Sequence, residues 1–295
     1  MNLLILPHIK IHNANALSSP FTIGFPAMTA WLGFTHALER KLNQAGLSDL
    51  MLHSTAVVSH HCDLQTYRGD GDFVHSIVGT GNPLDKDGSR SAFIEEARCH
   101  LEVSLVIEWN GNEEKLEQAD FIDTLKAVIA TMKIAGGDVL SLRTPFIKNL
   151  NEQSEQETKA LVKQLMPGYV LIERRDLMID AMQQGEDALD ALIGYLTINH
   201  HCEQQNDAVT WRSERKEAGW IVPIATGFQG ISPLGEAKNQ RDPNVPHRFA
   251  ESVVTLGEFV MAHKIQHINE MLWQHAPDLD NDLYLCQQVN ATYEN

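Results

Sequence analysis

The segment from residue 99 to 109 limits the fold more than any other part of the chain. Cys99, Leu101, Val103, Leu105, Ile107 and Trp109 alternate with His100, Glu102, Ser104 and Glu108. A period of two over this length predicts a long strand with one apolar face, and such a strand needs partners. The N-terminus supplies one. Leu3, Ile5, Ile9 and Ile11 fall on one side of LLILPHIKIH, and Leu4, Leu6, His8, Lys10 and His12 fall on the other. The run LMLHSTAVVSH, at about 50–60, reads as a second partner.

Between these strands the apolar period changes. Met28, Leu32, Thr35, Leu38 and Leu42 keep helical spacing behind Pro26. Phe121, Ile122, Leu125, Val128, Ile129 and Met132 form the stripe of a helix over about 119–134. Asp120 stands where it can cap the start of that helix, and Gly136-Gly137 stands where it can end it. A short strand follows at about 138–142. The order is β-α-β, an insert over 61–98 rich in Gly, Asp, Asn and Ser, then β-α-β. This predicts an α+β fold with an RRM-like, ferredoxin-like β-α-β-β-α-β core, helices on one sheet face and the other face free. The second half is expected to form an α/β C-terminal extension. Helices are predicted near 153–166, 186–199 and 250–274, and strands near 168–173, 219–226 and 283–289. The expected division is residues 1–150 and 151–295.

Charge and cysteine content narrow the function classes. The chain carries 23 Lys and Arg against 39 Asp and Glu, a net charge of −16. This argues against binding nucleic acid or membrane by bulk charge and leaves room only for a local basic surface. Four cysteines without a CxxC pair read as reduced thiols. Pro7 and His8 come too early for a signal peptide, and no apolar run approaches the roughly 20 residues of a membrane span. The expected location is cytoplasmic, with no membrane partner.

The catalytic and metal motifs are weak. HHC occurs at 60–62 and 200–202, and Cys99-His100 is a third pair of zinc-ligand type, but spacing alone does not bring them together. His263, His267 and Glu270 share a face if the last predicted helix forms, yet Lys264 occupies the position where a zincin carries glutamate. The aspartate-rich run 85–96 has Arg90 where a calcium loop needs glycine. Phosphate-loop, dinucleotide and nucleophile-elbow motifs are missing. The expectation is no cofactor, no metal and no catalytic residue.

Groups suited to single-stranded RNA are easier to find. Such RNA is held by stacking, by amide and hydroxyl side chains, and by Lys, Arg and backbone N–H groups on phosphates. Asn13, Asn15, Ser18 and Ser19 follow the first strand beside Lys10 and His12. At Gly136 and Gly137 the missing side chains allow a phosphate to approach the backbone, and Arg143 lies shortly beyond. Lys238, Arg241 and Arg248 sit in a long turn-rich loop. Asp278, Asp280 and Asp282 are expected to face basic partners or solvent.

Five longer stretches bear a resemblance. They are LLILPHIKIHNANALSSPFTIGFP, NPLDKDGSRSAFIEEARCHLEVSLVIEW, MKIAGGDVL, GWIVPIATGFQGISPL and RFAESVVTLGEF. In this order, over about residues 2–273, they closely resemble the second Csy subunit of the type I-F CRISPR surveillance (Csy) complex, a Cas-five-type family. The resemblance implies an RRM-like fold with a thumb-like insert, for which 61–98 is the candidate. It implies a non-catalytic subunit that holds the 5′ handle of the CRISPR RNA. It also implies pairing with the large subunit, a neighbouring backbone subunit, and target DNA met through the assembled complex. The alternative is a metal-independent endoribonuclease, for which His12, His36, His60, His61 and Tyr67 are candidate acid–base groups.

Overall fold

The computed structural model describes residues 1–79, 83–91, 96–116, 120–205, 208–240 and 242–288. Strand β1 (Asn2–Asn15) departs from the regular alternation its sequence predicts. Its pairing with Arg98–Asn110 slips between Leu6 and Ile9 and again between Ile11 and Ala14. His8 (φ 49°) and Asn13 (φ 61°) take left-handed backbone at the two slips. Each bulge adds a residue and resets the face count. Leu4 and Leu6 therefore join Ile9 and Ile11 in the main core, and Leu3 and Ile5 enter a second core on the opposite face.

The first half continues with β2 (Leu17–Ser19), β3 (Thr22–Ile23), α1 (Met28–Gln44), β4 (Met51–Leu64), β5 (Thr66–Tyr67), β6 (Ser76–Ile77) and β7 (Arg98–Asn110). It ends with α2 (Glu113–Leu116), α3 (Phe121–Ala130), β8 (Lys133–Ile134), β9 (Gly137–Ser141) and β10 (Phe146–Asn149). In the sheet the order is β4-β7-β1-β9, every neighbour antiparallel. Met28, Leu32, Thr35, Leu38 and Leu42 are all buried, so α1 docks by the expected stripe. A fully buried side chain of this size is worth about 1.5–3 kcal/mol, enough to hold the helix on the sheet. Helix α3 buries Phe121, Leu125 and Ile129, but it stops at Ala130, and Asp120 makes no side-chain capping bond. Gly136 lies beyond the helix, in the β8–β9 turn. Ala135 (φ 48°) and Gly136 (φ 76°) are its two central residues, and both positive φ values suit a tight hairpin. Strand β4 pairs with β7 as far as Leu64, so the insert begins several residues later than composition suggested.

The second half contains α4 (Glu155–Gln164), β11 (Tyr169–Glu173), α5 (Arg175–Gln183), α6 (Ala188–Leu196), β12 (Asn199–Gln205) and β13 (Ala208–Glu214). Then come β14 (Ile221–Gly230), β15 (Ala250–Met261), two 3-10 turns (Ala262–Lys264 and Ile268–Glu270), β16 (Trp273–Asp278) and β17 (Leu283–Gln288). The helix expected over 250–274 is not formed. Its first half is β15, paired with β11 on one side and β14 on the other. The β-branched run Val253-Val254-Thr255 favours a strand. Gly257 also leaves space that a side chain would close, because a Cβ there meets Leu171 and Ile224 at 3.1–3.2 Å. Helix α5 and the β12–β13 hairpin lie where no element was expected.

Strands from both halves share one 11-stranded sheet. Strands β11 and β16 both pair with β4, and β15, β14 and β17 link them into a closed ring. Leu171, Ile224, Phe259, Trp273 and Cys286 belong to the same core as α1 and α3. The second core, on the other face, packs Leu161, Val162 and the 3-10 segment under Leu3, Ile5 and Val106. This layer covers only part of that face. Beyond His8 the sheet is open.

Candidate nucleic-acid interface

Two surfaces collect the residues that the sequence singled out. The first is a groove of about 670 Å³ between the end of β1, the start of α1 and the β8–β9 turn. Asn15, Ser18 and Gly136 line it, joined by Lys133, Phe228 and Tyr284. The Asn15 amide donates to the Ala135 carbonyl at 2.8 Å, tying the strand end to the turn. The Asn15 side chain closes on Leu17, donating to its carbonyl at 3.0 Å and accepting from its amide at 3.2 Å. The Ser18 hydroxyl meets Thr22 Oγ1 at 2.9 Å. Before Gly136 the groove is open, with only Arg98 Nη1 as near as 4.0 Å to a Cβ placed there. Lys133 is the groove's basic side chain, held at 2.6 Å from Asp138.

The second surface is the open half of the sheet. Lys10 and His12 of β1 stand beside His100 and Glu102 of β7 and His61 of β4, around a depression of about 210 Å³. His8 stacks on His60 with ring centroids 4.1 Å apart, and His12 stacks on His100 at 4.5 Å. His8 Nδ1 bonds Glu102 at 2.7 Å, and this bond holds the Glu102 carboxyl below its ordinary value. His60 bonds the Pro167 carbonyl through Nδ1 at 2.6 Å and the Ser104 hydroxyl through Nε2 at 2.7 Å. Burial lowers the His60 pKa, and the neighbouring His8 and Arg143 lower it further, against the raising effect of the Pro167 carbonyl. Arg143 is exposed, and its backbone N–H is anchored to Pro7 O at 3.1 Å. Asn13 belongs to this surface too. Its N–H donates to His100 and its Oδ1 accepts from Gln65 Nε2 at 2.6 Å.

Because the folded pKa of His60 is lowered, the native state binds fewer protons than the unfolded chain near and below about pH 6.5. Stability that is present above that pH is lost as the pH falls through it. We expect His60→Gln to flatten this acid-side loss, read as urea midpoints of the wild type and the variant between pH 7.5 and 5.5. Parallel curves would contradict the assignment.

The remaining candidates are placed elsewhere. Ser19 is buried, with its hydroxyl 2.7 Å from Thr22 Oγ1. Gly137 is buried against β1, where a Cβ would meet Ile11 Cγ2 at 2.7 Å and the Ala14 N and His12 O atoms at 2.8 Å. Its glycine serves strand packing. Lys238 is exposed in the loop that leaves β14 just after Phe228, so the loop is rooted beside the groove. Arg241 lies outside the described residues. Arg248 is half-buried on Gly230 and ion-paired with Asp282. Asp278 is engaged as well, accepting from Asn281 Nδ2 at 2.7 Å.

The metal and acid–base candidates come together only in part: His12, His61 and His100 line one depression, and Cys62 meets Cys99 across the β4–β7 pairing. Among the described residues no group of three or more His, Cys, Asp or Glu side chains is arranged to hold an ion. One HHC run is on β4 and the other on the separate β12–β13 hairpin, where His201 bonds Glu214 at 3.0 Å. His267 and Glu270 cap a 3-10 turn, so the face they were expected to share with His263 is not built. His36 is on α1, across the sheet from His12, His60 and His61, and Tyr67 is exposed in the insert. The residues that sequence reasoning missed are Lys133, Phe228, Tyr284 and the histidine stacks. The signal for Lys133 was a basic residue just before a two-glycine turn. The stacks had none, because they pair strands about 50–90 residues apart.

No helix among the described residues is long and apolar enough to cross a membrane. The family model described as CRISPR-associated protein (Cas_Csy2) matches residues 4–286. A curated relative, "CRISPR-associated protein Csy2" of Pseudomonas aeruginosa (strain UCBPP-PA14), is 34% identical over 310 residues, covering 96% of this chain and 94% of the relative.

Proposed function

Because the chain belongs to the Cas_Csy2 family of CRISPR-associated proteins, we propose that it is the non-catalytic type I-F subunit that holds the 5′ handle of the guide RNA. The observation that carries this reading is the groove, where Asn15, Ser18 and Gly136 meet Lys133 and the rings of Phe228 and Tyr284. Four separate parts of the chain bring amide, hydroxyl, cation and π-face together, the set a splayed single strand needs. The antiparallel order β4-β7-β1-β9, with α1 and α3 packed on one face, supports an RRM-like core. Lys10, on the same strand as Asn15, and the exposed Arg143 add cations at the open face of the sheet. Few phosphates are involved, so a handful of cations suffices in an acidic chain. The partners on this reading are the large subunit, the adjacent backbone subunit, and target DNA through the assembled complex in the cytoplasm.

The test is a tagged pull-down from cells carrying the array and the neighbouring subunits, with sequencing of the co-purified RNA. One mature guide species with a protected 5′ end is expected. Lys133→Ala should weaken RNA binding and reduce the slope of log K against log salt by about 0.7, the value for one lost phosphate contact on a single strand. Recovery of the partner subunits without guide RNA would refute the handle role. Repeat RNA cut by the purified chain without metal would favour the endoribonuclease.

A further inference from the structure

We propose that a second cavity, between β3, β4 and the β14–β15 ribbon, takes one unpaired nucleobase of the bound strand; this rests on the RNA-holding reading above and deepens it. The cavity encloses about 430 Å³, within the roughly 300–1,000 Å³ of small-ligand pockets. Phe25, Tyr169, Trp220 and Phe259 form its walls. The centroids of Phe259 lie 5.2 Å from Phe25 and 5.1 Å from Trp220, and Tyr169 lies 5.2 Å from Trp220. Trp31 backs Phe25 in a stack and is itself fully buried. Trp220 is 52% exposed, so part of its ring is free to meet a ligand.

An aromatic wall alone fits many occupants. Here Ser18 and His61 also line the cavity. The indole N–H of Trp220 and the ring of His61 make no hydrogen bond to another described residue. Flat π-faces beside unspent donors and acceptors match a base, which stacks through its faces and hydrogen-bonds through its edge. An apolar side chain of a partner protein uses the walls and leaves those polar groups idle. Ser18 lines the groove as well as the cavity, so the two open beside one side chain. A base turned out of a strand in the groove reaches the cavity while the backbone stays in place.

The experiment uses the full chain and short single-stranded RNAs of the repeat sequence, each abasic at one position, with affinity read by fluorescence anisotropy. One position is expected to matter most, its loss weakening binding about tenfold, in line with stacking of a single base. Trp220→Ala should weaken the intact RNA by a similar factor and add little to the loss at that position, since both changes remove one contact. Trp220→Phe, which keeps a stacking face, should restore most of the affinity and exclude misfolding as the cause. If Trp220→Ala binds the whole set as the wild type does while Lys133→Ala weakens it, the cavity proposal is overturned and the RNA-holding reading stands. If the wild-type chain binds none of the RNAs, both fall.

Discussion

Trp273→Ala should cost about 3–5 kcal/mol, the range for deleting a buried aromatic ring, against a total stability of roughly 5–15 kcal/mol for a typical domain. The indole is fully buried, and its Nε1 donates to the Leu171 carbonyl at 2.9 Å. That bond crosses from β16 to β11, the two strands that attach the second-half ring to β4. The substitution therefore leaves a cavity and an unpartnered carbonyl at the place where the two halves meet. The same core contains Leu4 and Leu105 from the first half and Ile224 and Phe259 from the second. Both halves are expected to unfold together, with one urea transition whose midpoint drops while its slope is unchanged. Two separate transitions, or a loss below about 1 kcal/mol, would show that the shared core does not couple them.

Gly137→Ala is the second large effect, at about 3 kcal/mol, the upper end for overpacking a close contact. The added methyl meets two backbone atoms of β1 at 2.8 Å, and backbone in a paired strand cannot step aside as a flexible side chain can. Gly136→Ala makes a control one residue away. No neighbour stands in its way, so its cost is the left-handed conformation alone, about 1–2 kcal/mol. On the proposed function this milder variant is the one that disturbs RNA, because Gly136 lines the groove and Gly137 is buried against β1. Urea midpoints should rank Gly137→Ala as the more destabilised, and RNA affinity measured on folded protein should rank Gly136→Ala as the more impaired. The reverse ranking would exchange the roles of the two glycines.

Much of the fold was legible because single elements carry their own period. The odd-numbered residues of β7 and the stripe of α1 are buried as their spacing predicts. Where alternation was counted through β1 the faces came out crossed. A bulge is set by backbone geometry at His8, and a pattern of residue types does not reveal it. The segment of β15 was read as a helix because its apolar residues satisfy either period. Its pairing partners, β11 and β14, decide the matter, and they lie about 30–90 residues away.

The candidate site divides in the same way. Asn15, Ser18 and Gly136 were chosen for their chemistry, and they share a groove. Gly137 and Ser19 were chosen on the same grounds, and each is buried in packing that only the folded chain creates. Arg248 offers the right charge, but Asp282, brought close by the pairing of β14 with β17, already takes it.

By itself the sequence determined the family, the strand–helix order of the first half, and the residue types available for a single-stranded polyanion. These depend on local spacing and on motifs carried whole in the chain. The tertiary structure decided which of those residues are free to act, because exposure, ion pairing and contact between distant strands arise only when β1, β4, β7 and the second-half ring close on one another.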